Sequence, residues 1–451
     1  MTQDHAVAAP DAPVIPTPKT EEERKDSRRA VLSSFLGSSV EYYDFLLYTA
    51  AAGLVFPPLF FSNVDPALGQ LLAFATLLAG YLTRPLGGVL FGHFGDKFGR
   101  KNMLFITLMM MGVVSLCIGL MPTYATIGVA APVLLVTLRV IQGVAVGGEW
   151  AGATLMAMEH SSARNKGFGA SLSVAGGPTG AVLSTLVLTL FATLPDDQFY
   201  SWGWRVPFLL SVIVVAVGLY LRARVKESPE FEAARESGDV HTGVPIKLMV
   251  TKYPKEVLLG ALGGAAPLFV QGLLAGFMVT YVSVINEWIP RSEALMLLTF
   301  SSFFHIFTIP AFAALSDRIG RKKVMIGGAI FSAVAVWPMF AMFNTGDPLW
   351  IGLAFMLGNP IIQASMYGPI GAFLSEKFAT NARYTGTSLS FQLSSIIGAG
   401  VAPLVAVRLT SPEVGTTNLA VYVTVMFVIS GAAVALSRET NPLKKKGARR
   451  A

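Results

Sequence analysis

The stretch GHFGDKFGRKNM at residues 92–103 returns as AALSDRIGRKKV at 313–324, with Asp96 and Asp317, Gly99 and Gly320, and Arg100 and Arg321 each 221 positions apart. A second pattern, Glu159…Lys166…Gly169…Ser171-Leu172, returns as Glu376…Arg383…Gly386…Ser388-Leu389 at an offset of 217. Two separate patterns repeated at nearly one spacing identify a duplicated chain whose halves run in the same orientation. Both patterns are short polar interruptions between long apolar runs.

Outward from those loops, twelve runs have the length of a bilayer span, with cores near 32–59, 67–91, 103–121, 131–157, 167–193, 204–222, 256–286, 294–314, 324–343, 349–374, 385–408 and 418–436. A span takes about 20 apolar residues as helix, because lipid offers a free backbone group no partner. Composition agrees: 53% of the 451 residues are hydrophobic, 14% are charged, and mean hydropathy is +0.59. An average soluble domain is about 25% charged, so a disordered chain and an ordinary soluble enzyme are both excluded. A single cysteine, Cys117, rules out a disulfide framework and any cysteine-based metal or redox pair. The sequence has no P-loop in a strand context and no metal-spaced His/Cys cluster, so neither cofactor nor metal is expected.

Net charge is +7, and its placement carries the meaning. Of 34 Lys and Arg, 29 fall in alternate connections: 1–29, 92–101, 159–167, 222–255, 316–323, 377–383 and the end from 438. That bias predicts both termini cytoplasmic in a multi-pass protein of the plasma or inner membrane, and a nucleic-acid partner is not expected. The expected division is a cytoplasmic tail at 1–29, a six-helix half at 30–222, a cytoplasmic linker at 223–254, a second six-helix half at 255–437 and a basic cytoplasmic tail at 438–451. Residues 1–29 lack the apolar core of a cleaved signal peptide.

A charge at the bilayer centre costs about 2.5–3.5 kcal/mol on insertion scales, so those inside spans are functional candidates. Glu41 and Asp44 lie three apart on the first span and share a face. They must be protonated or paired, and Arg84 on span 2 and Arg139 on span 4 are the permanent cations available. Arginine beside a carboxylate favours its charged form and a dry apolar cavity favours the neutral form, so a motion that separates such a pair couples proton to conformation. A fixed packing bridge is the alternative reading of the same residues. Glu149, after Gly147-Gly148, is expected to pair with Arg84 as a gate or packing residue. His305 is the only histidine well inside a span, and serves either as a proton relay or as a hydrogen-bonded core residue. Gln271, Asn359, Gln363, Tyr367 and Gln392 are neutral polar groups at mid-span depth, available to a substrate or to a neighbouring helix. In the repeated loop, Asp96 and Arg100 are four apart at a helix start, so the anion can face neighbouring helix N-termini.

These motifs resemble the major facilitator superfamily. GHFGDKFGRK is similar to its signature loop between spans 2 and 3, and RVIQGVAVGGEW (139–150) to the fourth-span pattern of proton-coupled members. EYYDFLLY (41–48), TRPLGG (83–88), WGWRVPF (202–208) and ESPEF (227–231) narrow the resemblance to the metabolite:proton symporter family, nearest to shikimate-type transporters in the N-terminal half. Span 7 (260–284) departs from the shikimate pattern.

The resemblance implies an all-α membrane protein of twelve transmembrane helices in two six-helix halves, working by alternating access with proton symport. It implies a coupling pair of Asp44 and Arg139, with Glu41 beside it. The gate motif it implies comprises Gly92, Asp96, Gly99, Arg100, Asp317 and Arg321. The expected cavity is lined by Arg84, Gln142, Glu149, Gln271, His305, Gln363, Tyr367 and Gln392. With three acids against two arginines, proton uptake makes room for an anion, so a small organic acid is the expected substrate. Uptake of a zwitterionic osmolyte such as betaine or proline is the alternative, and a nutrient sensor without net flux is the alternative from another class.

Overall fold

The computed structural model describes residues 21–98, 100–159, 161–162, 164–223, 249, 251–378, 383–410 and 415–439. The expected tails and most of the 223–254 linker lie outside them. Twelve long helices account for most of what is described. They are α1 (Glu21–Leu54), α2 (Pro66–Phe98), α3 (Arg100–Leu120), α4 (Ala130–Glu159), α5 (Lys166–Ala192) and α6 (Arg205–Ala223) in the first half. The second half holds α7 (Pro254–Ile285), α8 (Arg291–Ile319), α9 (Arg321–Phe343), α10 (Pro348–Ser375), α11 (Arg383–Leu409) and α12 (Thr417–Leu436).

Each expected span falls on one of these helices, the first running on into a short helix at Phe56–Phe60. Ten are long and apolar enough to cross a membrane, and α3 adds a shorter apolar run, Phe105–Leu120. In α1 the carboxyls of Glu41 and Asp44 interrupt the apolar run. That helix begins at Glu21, so the charged run EEERKDSRR, expected in the tail, forms its first turns. Glu, Arg and Lys are good helix formers, and extending an existing helix gains one hydrogen bond per residue fixed.

The duplication in the sequence is also a duplication of packing. In the first half α1 packs on α5, α2 on α4 and α3 on α6; in the second α7 packs on α11, α8 on α10 and α9 on α12. Across the halves α5 meets α8, α2 meets α11 and α1 meets α7. Large apolar side chains such as Leu86, Leu190, Ile213, Val334 and Leu436 stand on the outside. Lipid is as apolar as they are, so cohesion inside depends on close approach of small residues. A Cβ on Gly147 would sit 1.9 Å from the carbonyl oxygen of Arg84, which makes glycine the residue that lets α4 touch α2.

Several helices are interrupted at mid-depth. Helix α4 breaks at Gly147-Gly148, between Ala130–Val146 and Glu149–Glu159. Wide π turns occupy Leu273–Met278 and Tyr281–Ile285 in α7, Gly358–Gln363 in α10 and Ile396–Gly400 in α11. Pro360, which has no N–H to give, lies within the third. Between α8 and α9, Gly320 has φ of 108°, a conformation glycine adopts at little cost, and this turn places Arg321 back beside Asp317.

Candidate functional site

Inside the first half, Asp44 is 1% exposed and neither carboxyl oxygen makes a hydrogen bond of normal geometry. The Ser115 and Ser211 hydroxyls and the Arg139 charge are its polar neighbours. The Ser211 hydroxyl donates to the Phe208 carbonyl at 2.7 Å. Arg139 does not close an ion pair with Asp44 within 4 Å. Its Nη1 donates to Gln142 Oε1 at 2.6 Å, and the guanidinium lies over the Phe45 and Tyr48 rings at 4.5 and 4.1 Å. Gln142, expected to line the cavity, is instead an interior brace, donating through Nε2 to Ser115 Oγ at 3.4 Å.

Arg84 also departs from its expected partner. It makes no ion pair with Glu149 and lies over the Phe45 and Tyr81 rings, each 4.3 Å away, with its Nε unbonded. Phe45 therefore stands between two guanidinium groups. Cations of this kind gain about 0.5–2 kcal/mol from an aromatic face, a weaker hold than an anion gives. Glu41 and Glu149 are both buried, Glu41 beside the hydroxyls of Tyr42 and Tyr367.

A narrow cleft lies between the halves, bounded by α1, α5, α7, α8 and α10. Gln271, His305, Asn359 and Gln363 line it, with Thr185 and Ser302. Of the expected cavity residues, Arg84, Gln142, Glu149, Tyr367 and Gln392 do not line this cleft. Tyr367 and Tyr42 meet across the halves with their hydroxyls 3.1 Å apart, while Thr185 and Thr299 meet at 2.6 Å toward the other end.

Both ends of the cleft are shut. At the end bearing the loops after α2, α4, α8 and α10, called here the basic end, the break in α4 leaves carbonyls without helical partners. Ser388 and Gln392 donate to the Gly147 carbonyl at 3.3 and 3.0 Å, and the Tyr384 hydroxyl donates to that of Gly148. Trp150 stacks on Phe391 with centroids 3.5 Å apart. Asp317 accepts from the N–H groups of Gly167 and Phe168, at the start of α5, at 3.0 and 2.9 Å. Arg321 holds Asp317 at 2.7 Å and Glu376 at 3.1 Å. Gly99, the surroundings of Gly92 and the side chains of Asp96 and Arg100 lie outside the described residues.

At the opposite end Arg291 meets Asp196 at 2.8 Å and donates to the Ala192 and Leu194 carbonyls at 3.3 and 3.2 Å. Sequence reasoning did not single out Tyr42, Tyr384 or Arg291. The signal for Tyr384 was present, since a Gly-Gly break inside a span exposes carbonyls that must find donors.

Two duplicated six-helix halves, shut at both ends around a central cleft, define a membrane transporter. The Major Facilitator Superfamily profile matches residues 35–295 and 268–451, and the chain belongs to that family. It is 38% identical over 418 residues to the shikimate transporter of Escherichia coli, covering 92% of this chain and 95% of that one. It is 33% identical over 433 residues to the proline/betaine transporter of Salmonella typhimurium, covering 93% and 85%. Among solved structures, the partially occluded, inward-open xylose transporter of E. coli superposes with a TM-score of 0.71 at 18% identity, over 92% of this chain and 99% of that one. The protein is thus a multi-pass transporter, related to carriers of metabolites rather than to enzymes.

Proposed function

We propose that this transporter carries a small organic acid together with protons, by alternating exposure of the central cleft. The observation that carries this reading is the Asp44 carboxyl, buried without hydrogen bonds beside an Arg139 whose own contacts are to Gln142 and two rings. A charge there has lost the bonds water gave it and keeps only the Ser115 and Ser211 hydroxyls nearby, so its proton occupancy depends on how closely Arg139 approaches. Asp44 is the coupling carboxyl, Arg139 its switchable partner and Glu41 the second acid. Arg84, held only by rings, anchors the substrate carboxylate.

The α4–α11 and α5–α8 contacts at the basic end form the gate. Following the charge bias, that end faces the cytoplasm, both termini lie there, and the chain divides as the sequence reading sets out. The 38% identical shikimate carrier supports the acid reading, and the 33% identical proline/betaine carrier keeps an osmolyte as the second reading. Uptake into proteoliposomes under an imposed pH gradient tests the proposal, with shikimate, dicarboxylates, aromatic acids, proline and betaine as candidates. Accumulation of an acid that collapses with a protonophore is the expected result. Betaine accumulation alone overturns the substrate reading, gradient-independent uptake overturns the coupling, and binding without flux gives the sensor reading.

A further inference from the structure

The cleft has an unusual lining for an anion carrier. Its walls are Leu46, Pro178, Ala181, Ala275 and Leu298 together with the neutral polar groups of Thr185, Gln271, Ser302, His305, Asn359 and Gln363. None of these carries a permanent charge, and His305 supplies the one aromatic ring among them.

Two of the polar side chains are left with unmet hydrogen-bonding capacity. Gln363 is 1% exposed and neither its amide oxygen nor its amide nitrogen has a partner; His305 is 4% exposed and its Nε2 has none. Asn359, one turn away on α10, donates to Ser301 Oγ at 2.9 Å. A buried polar group left unsatisfied costs about 1–3 kcal/mol. The π turn Gly358–Gln363 delivers Asn359 and Gln363 to this wall, so the wall belongs to an irregular segment of α10.

The ligand chemistry that relieves this arrangement must donate to an amide oxygen and accept from an amide N–H at once. A hydroxyl group does both. A carboxylate only accepts. A quaternary ammonium neither donates nor accepts, so it leaves both groups of the Gln363 amide unmet. We propose that the α5–α8–α10 cleft is a subsite that reads hydroxyl groups, so that the substrate is a hydroxylated organic acid rather than an unsubstituted acid or a betaine. This rests on the organic-acid reading above, in which Arg84 holds the carboxylate from outside the cleft lining; Gln363, with His305 on the same lining, takes the hydroxyl-bearing part.

The test uses the full chain in proteoliposomes and matched pairs that differ only in hydroxyl groups: lactate and propionate, malate and succinate, shikimate and cyclohexene-1-carboxylate. A neutral cyclic polyol and glycine betaine complete the panel, and each compound is scored by its inhibition constant against the best-transported member. At least one hydroxylated acid should bind about tenfold or more tightly than its partner, since a site built to bond a hydroxyl rejects the analogue that lacks it. Gln363→Leu should reduce that ratio to within about twofold by raising KM for the hydroxylated acid while kcat and the affinity for its partner stay near the parent's. A fold defect would lower both members together, so the ratio within one variant remains informative, and Gln363→Asn should recover part of it. Equal binding within every pair, or a ratio untouched by Gln363→Leu, overturns the proposal. If the polyol competes while no acid does, the hydroxyl subsite stands and the organic-acid reading falls. Competition by betaine alone removes both.

Discussion

The first half carries Glu41, Asp44, Arg84, Arg139 and Glu149 buried at mid-span depth. At the same depth the second half presents His305, Asn359, Gln363 and Gln392, and it keeps its buried ions Asp317, Arg321 and Glu376 at the basic end. The backbone divides in the same way. Four π turns interrupt α7, α10 and α11, whereas the first half breaks α4 at a glycine pair and has its π turn, Phe199–Gly203, ahead of α6. Two copies of one packing plan have therefore diverged. One copy holds buried charges, and the other holds neutral hydrogen-bonding groups on irregular helices.

The largest effect that would break this division is at Asp44. Asp44→Asn should lose all accumulation driven by a pH gradient while keeping counterflow exchange, which moves no net proton. Arg139→Gln should lose driven uptake as well, and the double variant should be no worse than either single one, because the two act as a unit. Intact accumulation in Asp44→Asn would move coupling to Glu41, and loss of coupling in Gln363→Leu would erase the distinction between halves.

The α4–α11 part of the basic-end gate sharpens the comparison, because its donors all come from α11 and its acceptors are backbone groups of α4. Gln392→Leu with Tyr384→Phe removes two hydrogen bonds worth about 0.5–1.5 kcal/mol each, shifting the population about fivefold or more toward states open at that end. The readout is thiol labelling of Ala181→Cys in a Cys117→Ala background. Unchanged labelling would leave the Trp150–Phe391 stack and the Asp317 contacts to hold the gate alone.

A smaller effect is expected at the two ends of α5, which α8 of the other half meets with a carboxylate at the N-terminus and a guanidinium at the C-terminus. Charges placed this way contribute about 0.3–1 kcal/mol each, more when partly buried. Asp317→Asn should favour opening at the basic end and Arg291→Gln at the other, so Ala181→Cys labelling from the two sides should change in opposite directions. Shifts of the same sign would show that the two contacts support the fold and do not bias it.

The smallest effect is at the rim of the second half. Burial pushes Lys377 down to about 8 from its ordinary 10.5, with its Nζ donating to Ser437 Oγ at 2.7 Å. The folded chain thus gives up this proton before the unfolded chain does, and linkage makes the lysine's contribution to stability rise between those two pH values. In detergent, the parent's thermal midpoint should gain on that of Lys377→Met across this window. Parallel curves would locate the alkaline response elsewhere.

The repeated loop, the spans and the charge placement were all legible, because each depends on local composition and on the depth at which a residue sits along its helix. Azimuth was less so. Arg139, Gln142, Asp44 and Arg84 fall on the expected helices and are buried, yet whether Arg139 bonds Asp44 or Gln142 depends on helix rotation, which sequence spacing between different spans does not encode. The π turns were hidden for a related reason. Gly358 and Pro360 mark a weak point, but a ladder slipped by one residue is chosen by the neighbours it packs against. Of the cavity residues, those on α7, α8 and α10 were found because a neutral polar side chain inside an apolar run is conspicuous. Tyr42 and Tyr384 passed for ordinary aromatic packing.

The two contacts at the ends of α5 also bear on leakage. Under alternating access, opening either end breaks one of them and leaves the other as the pivot. A conformation open to both sides would have to break both, so its population carries the product of two Boltzmann factors while each productive opening carries one. At about 1 kcal/mol apiece that is roughly a fivefold penalty for each opening and about thirtyfold for a continuous pore. A single helix gripped at its two poles thus lets the carrier turn over readily while disfavouring a continuous leak across its membrane.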